Sequence, residues 1–364
     1  AQQSAGHLVL MAGCLGIGAM AVCLVFAEGL MHLFFGSVDD AVMEAGLIYL
    51  RITAVSFPFI ALYNAGAAVF RSVGNSKISM QVSILMNVIN VCGNALCVYG
   101  LKMGVAGVAV PTLVSRAVAA VLILVLASNP RNELHITKEG FLHFDGGMMK
   151  NILRIGVPNA CENSFFQFGR LIVASMIALF GTMQTSANAV ANTLDSIGII
   201  AGQAMSLAIV TVVGQCVGAR DNRQVVYYVK KLIGWSYLMM GVCNLLILLF
   251  VNQLIGLYSG LSPETVALAR SLVVLHCSFA TLMWPVAFVL PSALRAANDV
   301  KFTMWVGVGS MLVFRVFGSW LLCVQMEMGA MGVWIAMILD WVCRIAFYLP
   351  RMISGKWKSK YRPT

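Results

Sequence analysis

Four carboxylates and one histidine interrupt long apolar stretches of this sequence: Glu28, Glu162, Asp195, Asp340 and His276. If these stretches cross a bilayer, each ionised group costs about 2.5–3.5 kcal/mol on insertion scales, so such groups usually bind an ion, a proton or a partner side chain. We take Glu162 and Asp195 as candidate ion- or substrate-binding residues. Glu28 lies near the end of its stretch and is expected to reach water.

Glu162 follows Pro158 by four residues in PNACENSFFQFGR (158–170). A proline inside a helix leaves backbone carbonyls without donors, and a carboxylate beside them could bind a cation or a proton. The alternative is a structural ion pair, for which Arg170 is a candidate partner two turns away. Gln167 lies on the same segment and joins the candidate binding residues.

Polar stripes follow two other apolar segments. Asn188, Asn192 and Asp195 are spaced by four and three residues, which places them on one helix face. Gln203 follows on the same segment. A polar stripe on a membrane helix must face protein or water, so we predict that it lines a cleft; the alternative is hydrogen bonding between helices. Asn87, Asn90 and Asn94 form a similar stripe.

Asp340 and Arg344 lie four residues apart in LDWVCR, the spacing of a local ion pair, and we predict a structural role for them. The ten cysteines fall singly, with no Cys/His group at metal spacing. No GxxxxGK[ST] nucleotide motif occurs. The sequence therefore predicts no metal site, no cofactor and no catalytic residue.

The elements that must position these residues are membrane-spanning helices. The chain is 60% hydrophobic and 10% charged, whereas soluble domains are about 25% charged. A polytopic, all-α membrane protein is predicted, because a spanning helix needs about 20 mostly apolar residues. Ten segments qualify: 7–35, 45–70, 77–99, 104–128, 152–180, 187–216, 232–251, 266–294, 302–323 and 330–350.

Basic residues indicate the orientation. With the first residue on the cytoplasmic side, 17 lysines and arginines fall on that side and only Lys102 lies in an outer loop. This asymmetry predicts a multi-pass plasma-membrane protein with the connecting loop between its halves and the C-terminus in the cytoplasm. The net charge of +10 could also indicate nucleic-acid binding. The charges are spread over five short loops, however, so no nucleic-acid partner is expected.

The chain contains an internal repeat. At a shift of 224 residues, Arg71, Lys77 and Met80 match Arg295, Lys301 and Met304. At a shift of 225, Gly104 and Gly107 match Gly329 and Gly332. An even number of helices per half gives a parallel repeat, an architecture found in transporters.

The predicted domains are an N-lobe (1–128), a cytoplasmic loop (129–150), a C-lobe (151–352) and a basic cytoplasmic tail (353–364). The size of the shift predicts two halves of six helices each, with the first two helices missing from this sequence.

Several motifs occur in a characteristic order: VFRSVGNSK (69–77), IGVPNACENSFFQFGRLIVA (155–174), TVVGQCVGARD (211–221) and DWVCRIAFYLPRMISGKWK (340–358). With them the chain resembles the bacterial members of the multidrug and toxic-compound extrusion (MATE) family over nearly its whole length. The resemblance implies two six-helix lobes, of which this chain would lack the first two helices. It also implies secondary active export, in exchange for H+ or Na+, through a V-shaped cleft that opens alternately inward and outward.

The resemblance extends to candidate ion ligands. The family's fifth helix carries an asparagine and an acid four residues apart, near a threonine of the sixth, and these positions match Asn90, Asn94 and Thr112. The acid is replaced by Asn94, whose carbonyl can ligate Na+ but cannot carry a proton. Some Na+-coupled members use an acid on the tenth helix, where this chain has only His276.

The expected activity is therefore efflux of amphipathic or cationic compounds by a non-enzyme, with small-molecule organic cations or drugs and membrane lipids as partners and a monomeric state. One alternative is a flippase for lipid-linked oligosaccharides in the same superfamily, which would need cations for phosphate such as Arg170, Arg315 and Arg344. A membrane-embedded prenyltransferase would need paired Asp motifs, and the only close acid pair is Asp39–Asp40.

Overall fold

The computed structural model describes residues 2–35, 40–130, 136 and 145–360, and all regular secondary structure within these ranges is helical. Most of the predicted cytoplasmic loop (129–150) and the last four residues of the predicted tail lie outside them. The chain divides into two compact units, Ala1–Ile152 and Leu153–Thr364, called unit 1 and unit 2 below.

Unit 1 is built from helices that pack around a shared apolar core. They are α1 (Gln2–Val25), α2 (Ala27–Phe35), α3 (Asp40–Val55), α4 (Phe57–Ser72), α5 (Ser76–Ala95) and α6 (Ala106–Ala127). Helix α4 packs against α1 and α6, and α5 packs against α6. Ala67 and Ile123 are fully buried in the core between these helices. The predicted 45–70 span is formed by α3 and α4, which meet at a bend of 41°.

Unit 2 contains the longer series of helices. They are α7 (Gly146–Ala178), which begins in unit 1, α8 (Thr182–Gly198), α9 (Ile200–Gly218), α10 (Asn222–Leu249), α11 (Val251–Gly256), α12 (Pro263–Trp284), α13 (Leu290–Ala296), α14 (Val300–Ser310), α15 (Gly329–Ile353) and a 3-10 helix (Lys356–Lys360). A π-helical turn, Pro285–Val289, joins α12 to α13. Helix α15 carries the largest buried face, which includes Trp341 and Tyr348.

Within the described ranges, eight helical segments are long and apolar enough to cross a membrane, and the bent α3–α4 pair makes nine. The predicted all-α polytopic fold is confirmed. The sequence predicted ten spans, and the difference lies in α7. This helix has 33 residues, about 50 Å at 1.5 Å per residue, but its charged and amide side chains lower its mean hydropathy.

The predicted repeat appears in the turn geometry of both units. Gly74 has a φ of 80° and Asn298 a φ of 63°, both left-handed. In each turn the next residue donates its backbone N–H to a carbonyl five positions earlier, at 3.0 Å. Equivalent positions therefore end a helix in the same way, which requires a residue that tolerates positive φ.

A second pair of turns repeats as well. The π-helical segment Leu96–Gly100 in unit 1 corresponds to Trp320–Gln325 in unit 2. Each is followed by a left-handed glycine, Gly104 with a φ of 60° and Gly329 with a φ of 59°. Glycine adopts this conformation without steric cost, so the repeated glycines predicted from sequence serve the same turn.

Asn298 offers a direct test of this turn geometry because its side chain is exposed. We expect Asn298→Ala to destabilise the protein by about 1 kcal/mol, since alanine lacks a polar side chain that eases the left-handed conformation. Asn298→Gly, which tolerates that φ, should be neutral or slightly stabilising. Thermal unfolding in detergent, followed by tryptophan fluorescence, measures both. Equal loss in the two variants would contradict a backbone origin.

Candidate functional site

Three uncharged side chains form a hydrogen-bonded group in unit 1, called the amide cluster: Asn90 and Asn94 on α5 and Thr112 on α6. Asn90 Nδ2 donates to Thr112 Oγ1 at 3.0 Å, and Asn94 Nδ2 donates to Asn90 Oδ1 at 3.2 Å. Asn94 Oδ1 is buried and has no hydrogen-bond donor among the described residues. The cluster therefore offers one free buried oxygen, which suits a cation or a water molecule.

The amide cluster forms because α5 and α6 approach each other closely. Gly93 lies against Pro111, and a Cβ atom at position 93 would stand 2.7 Å from Pro111 Cβ. Asn87, from the same predicted stripe, instead donates to its own helix at Ser83 O, 2.9 Å away. Only part of the stripe thus contributes to the cluster.

Glu162 on α7 takes part in an ion-pair network of unit 2. Its Oε1 and Oε2 atoms accept hydrogen bonds from Arg295 Nη1 at 3.2 and 3.1 Å. Arg344 Nη1 lies 3.9 Å from Oε1. The partner considered from sequence, Arg170, makes no such contact. Glu162 thus lies between the guanidinium groups of Arg295 and Arg344.

Arg344 joins this network to Asp340. Its Nε lies 3.1 Å from Asp340 Oδ1 and 3.2 Å from Oδ2, and its Nη2 donates to Gly307 O at 3.1 Å. The Asp340 side chain is 0% exposed and that of Arg344 is 3% exposed. Both side chains are thus buried inside unit 2. Removing either partner there would leave the other charge buried and unpaired, which is strongly destabilising.

Gly307 on α14 provides the space for Glu162. A Cβ atom there would lie 2.6 Å from Glu162 Oε1, whereas one at Gly309 would have nothing within 4 Å. We expect Gly307→Ala to cost about 1–3 kcal/mol by overpacking this charged site. The matched control Gly309→Ala should be neutral or stabilising. Thermal unfolding of both variants measures this, and equal stability of the two would contradict the close packing of Glu162.

A second charged contact in unit 2 joins α8 to α12. Asp195 Oδ1 lies 2.7 Å from His276 Nε2, and the two side chains are 17% and 1% exposed. The oxygen is not aligned with the ring nitrogen as a hydrogen-bond acceptor, and neither ring nitrogen has another partner among the described residues. The pair is therefore a close charge contact whose electrostatics depend on the protonation of His276.

Two tryptophans of α15 enclose this imidazole. The ring centroid of His276 lies 5.6 Å from that of Trp334 and 5.4 Å from that of Trp341, both edge to face. Trp334 Nε1 also donates to Asn188 Oδ1 at 2.9 Å. Trp334 thus connects the buried His276 with the polar face of α8.

The polar face of α8 borders a cavity of about 90 Å³ inside unit 2, which we call the guanidinium cavity. Its polar and aromatic wall consists of Arg170, Asn188, Asn192, Arg315 and Trp334. The remaining wall is apolar. Part of the stripe predicted to line a cleft therefore does line a cavity, with two arginines facing it.

The comparison with known protein families decides the identity. The model of the MatE family matches residues 1–96 and 158–321. The chain belongs to the MatE family. The predicted family is confirmed, and the protein is a multi-pass membrane transporter rather than a member of an enzyme family.

Relatives of this MatE chain cover nearly all of it. "Uncharacterized transporter YisQ" of Bacillus subtilis (strain 168) is 25% identical over 354 residues, 95% of this chain and 75% of that protein. "Probable multidrug resistance protein NorM" of Thermotoga maritima is 25% identical over 352 residues, 94% of this chain and 74% of that protein. These relatives are described as transporters and multidrug resistance proteins, so the flippase alternative is not favoured.

Solved structures share the MatE fold. A MOP superfamily transporter from Pyrococcus furiosus Vc1, described as having a binding pocket of reverse polarity, superimposes with a TM-score of 0.89 at 20% identity, over 100% of this chain and 80% of that chain. A multidrug resistance MATE family transporter in an outward-facing conformation gives 0.88 at 21%, over 99% and 80%. At these identities the likeness establishes the fold alone.

The other predicted residues of the MatE chain lie apart from these clusters. Gln167 borders an open depression of about 310 Å³ beside Phe168. Gln203 is exposed on α9. Glu28, expected to reach water, is exposed and pairs with Arg51 at 2.9 Å. Neither glutamine lines the guanidinium cavity.

The predicted site residues did not include Arg295, Arg315 or Trp334, which all contribute to these sites. Arg295 was assigned to a cytoplasmic turn, Arg315 was considered only for a flippase, and Trp334 was not considered. An arginine within an apolar span is itself a signal of a functional or paired group, so Arg315 was detectable. No sequence signal distinguishes Trp334 from an ordinary apolar core residue.

Proposed function

We propose that this protein exports amphipathic small molecules by antiport, and that the coupling ion is a proton exchanged at Asp195 and His276. The names of its relatives support multidrug efflux. The observation that carries the choice of ion is the 2.7 Å contact between Asp195 Oδ1 and His276 Nε2 in a site where the imidazole is 1% exposed.

This pair has the chemistry of a proton carrier. Imidazole is the side chain whose chemistry suits proton exchange near neutral pH, and a carboxylate lies in contact with it. In this proposal His276 takes up and releases the proton, and Asp195 is the counter-charge 2.7 Å away. Loss of the proton would leave Asp195 as an uncompensated charge, which is costly in the membrane interior and favours a change of conformation.

Trp334 connects the Asp195–His276 pair with the guanidinium cavity, where a substrate could bind. Trp334 contacts His276 edge to face and also lines the guanidinium cavity. There it donates a hydrogen bond to Asn188. A ligand in the cavity that shifts Trp334 would alter the surroundings of His276. Antiport needs such a link, since substrate and ion must favour different states of the transporter.

Sodium is the second candidate for the coupling ion, and the amide cluster favours it. Asn94 Oδ1 is a buried oxygen without a donor among the described residues, and hydrogen bonds link its side chain to Asn90 and, through Asn90, to Thr112. Carbonyl and hydroxyl oxygens suit a hard cation. These groups do not titrate, so a site here would bind Na+ rather than H+.

The test is dye movement in proteoliposomes that contain the full-length gene product, driven separately by a pH gradient and by a Na+ gradient. Fluorescein and rhodamine 6G, two amphipathic xanthene dyes of opposite charge, serve as substrates. We expect at least one dye to move under the pH gradient and neither under the Na+ gradient alone. Movement under Na+ alone would favour the amide cluster, and no movement under either gradient would contradict ion-driven export.

A further inference from the structure

The charges inside unit 2 do not balance around the guanidinium cavity. Glu162, Asp195 and Asp340 each have a basic side chain within 4.0 Å. Arg170 and Arg315, in contrast, have no carboxylate within 4.0 Å in the described part of the chain. Glu162 and Asp340 are thus paired with arginines and Asp195 contacts His276, while the two guanidinium groups that line the cavity have no acidic partner among the described residues.

Arg315 is the more constrained of the two. Its Nε is buried and has no hydrogen-bond acceptor among the described residues. Its guanidinium lies 5.6 Å from the ring centroid of Phe166, a contact that attracts the cation but accepts no directed hydrogen bond. A buried N–H donor without an acceptor is costly, so this position favours the binding of an acceptor.

Arg170 adds a second positive charge on the same cavity. Its charge repels that of Arg315. The acids that attract Arg315 are Asp340, which is paired with Arg344, and Asp195, which contacts His276. Two like charges at one cavity raise its positive potential. An anion placed between them would relieve the repulsion and gain two charge-assisted hydrogen-bonding partners.

Asn188 is oriented to help such an anion. Trp334 Nε1 can only donate a hydrogen bond, and it donates to Asn188 Oδ1 at 2.9 Å. The amide orientation is therefore fixed, and Nδ2 remains as a donor on the polar face of α8. Together with the guanidinium groups, the polar wall of the cavity is rich in donors.

We propose that the guanidinium cavity binds the negatively charged group, a carboxylate or a sulfonate, of an amphipathic organic anion that this protein transports. The inference rests on the proposed export function and narrows its substrate class. A cavity of about 90 Å³ accommodates one small ionised group, whereas whole drug-sized ligands need about 300–1,000 Å³. The apolar body of the substrate would therefore lie outside this cavity.

The planar guanidinium matches the two oxygens of such a group. Arginine binds a carboxylate through two parallel N–H···O hydrogen bonds, which lysine cannot reproduce. We therefore expect the binding to depend on the shape of the Arg170 and Arg315 side chains as well as on their charge. The sequence predicted amphipathic or cationic compounds as substrates, and preference for a cation is an explicit outcome of the test.

The experiment measures dye binding to the purified full-length protein by fluorescence anisotropy, with no ion gradient. Fluorescein and rhodamine 6G share a ring system and differ in charge. We expect fluorescein to bind at least ~10-fold more tightly than rhodamine 6G, and Arg170→Gln or Arg315→Gln to weaken fluorescein binding by at least ~10-fold. Lysine at either position should restore only part of the affinity.

The control Arg270→Gln changes an exposed arginine of α12 outside the cavity and should leave the affinity for both dyes unchanged.

Tighter binding of rhodamine 6G by the wild-type protein would overturn the proposal, and so would unchanged fluorescein affinity in Arg170→Gln. Arg170 is exposed, so this variant decides the matter if Arg315→Gln does not fold, as judged by size-exclusion chromatography. Binding without a gradient is independent of coupling. Selective fluorescein binding without gradient-driven movement would contradict antiport and leave the anion site intact.

Discussion

Replacing Asp195 with Asn is expected to reduce the rate of export driven by a pH gradient by at least ~10-fold. A tenfold change corresponds to a free-energy difference of about 1.4 kcal/mol. The amide keeps the shape of the side chain but neither ionises nor stabilises a protonated His276, 2.7 Å away. His276→Gln should have the same effect because it removes the titrating ring. Initial rates of dye movement in proteoliposomes measure both.

The control for this prediction is Glu28→Gln, which neutralises an acid that is 70% exposed and paired with Arg51. Its export rate should remain that of the wild-type protein. Dye binding without a gradient should persist in Asp195→Asn, which separates lost coupling from lost binding. Wild-type rates of pH-driven export in Asp195→Asn would exclude this carboxylate as part of the proton carrier.

Replacing Arg344 with Met is expected to have the largest effect on stability, about 3–5 kcal/mol. The substitution leaves Asp340 fully buried and charged without its partner, removes the donor to Gly307 O, and takes one guanidinium group from Glu162. The cost follows from desolvation, because an unpaired carboxylate in an apolar interior has no substitute for water. Thermal unfolding in detergent measures it.

Two variants sharpen this prediction. Arg51→Met breaks the exposed pair with Glu28 and should cost less than ~1 kcal/mol, since water screens such pairs. The double variant Asp340→Leu/Arg344→Met should recover much of the lost stability, because no lone charge remains at position 340. Equal losses in Arg344→Met and Arg51→Met would contradict a desolvation origin.

The polar groups of the two units differ in kind. The amide cluster of unit 1 is neutral, with Asn94 in the position where the resemblance to the family led us to expect an acid. Unit 2 carries the Asp195–His276 contact and the Glu162 network. A proton needs a titrating group, so these differences support assigning proton exchange to unit 2 and leave cation binding through oxygen atoms as the alternative role of unit 1.

Local features of the structure were predictable from the sequence. The helical spans follow from the apolar stretches that a bilayer requires. The contact of Asp340 with Arg344 follows from their spacing of four residues, because that spacing places two side chains side by side on any helix. The repeated turns at Gly74 and Asn298 follow from equivalent sequence at a shift of 224 residues, since each turn is closed by its own backbone.

Tertiary structure decided which distant residues meet. Glu162 pairs with Arg295, 133 positions away, and not with Arg170 of its own helix. Asp195 meets His276 because α8 packs on α12. Arg315 of the π-helical segment Met311–Phe317 and Arg170 of α7 line the same cavity although they are far apart in sequence. Helical periodicity gives the face on which a residue lies, but the partner of that face depends on how the helices pack. Spacing within one helix holds no information about that choice.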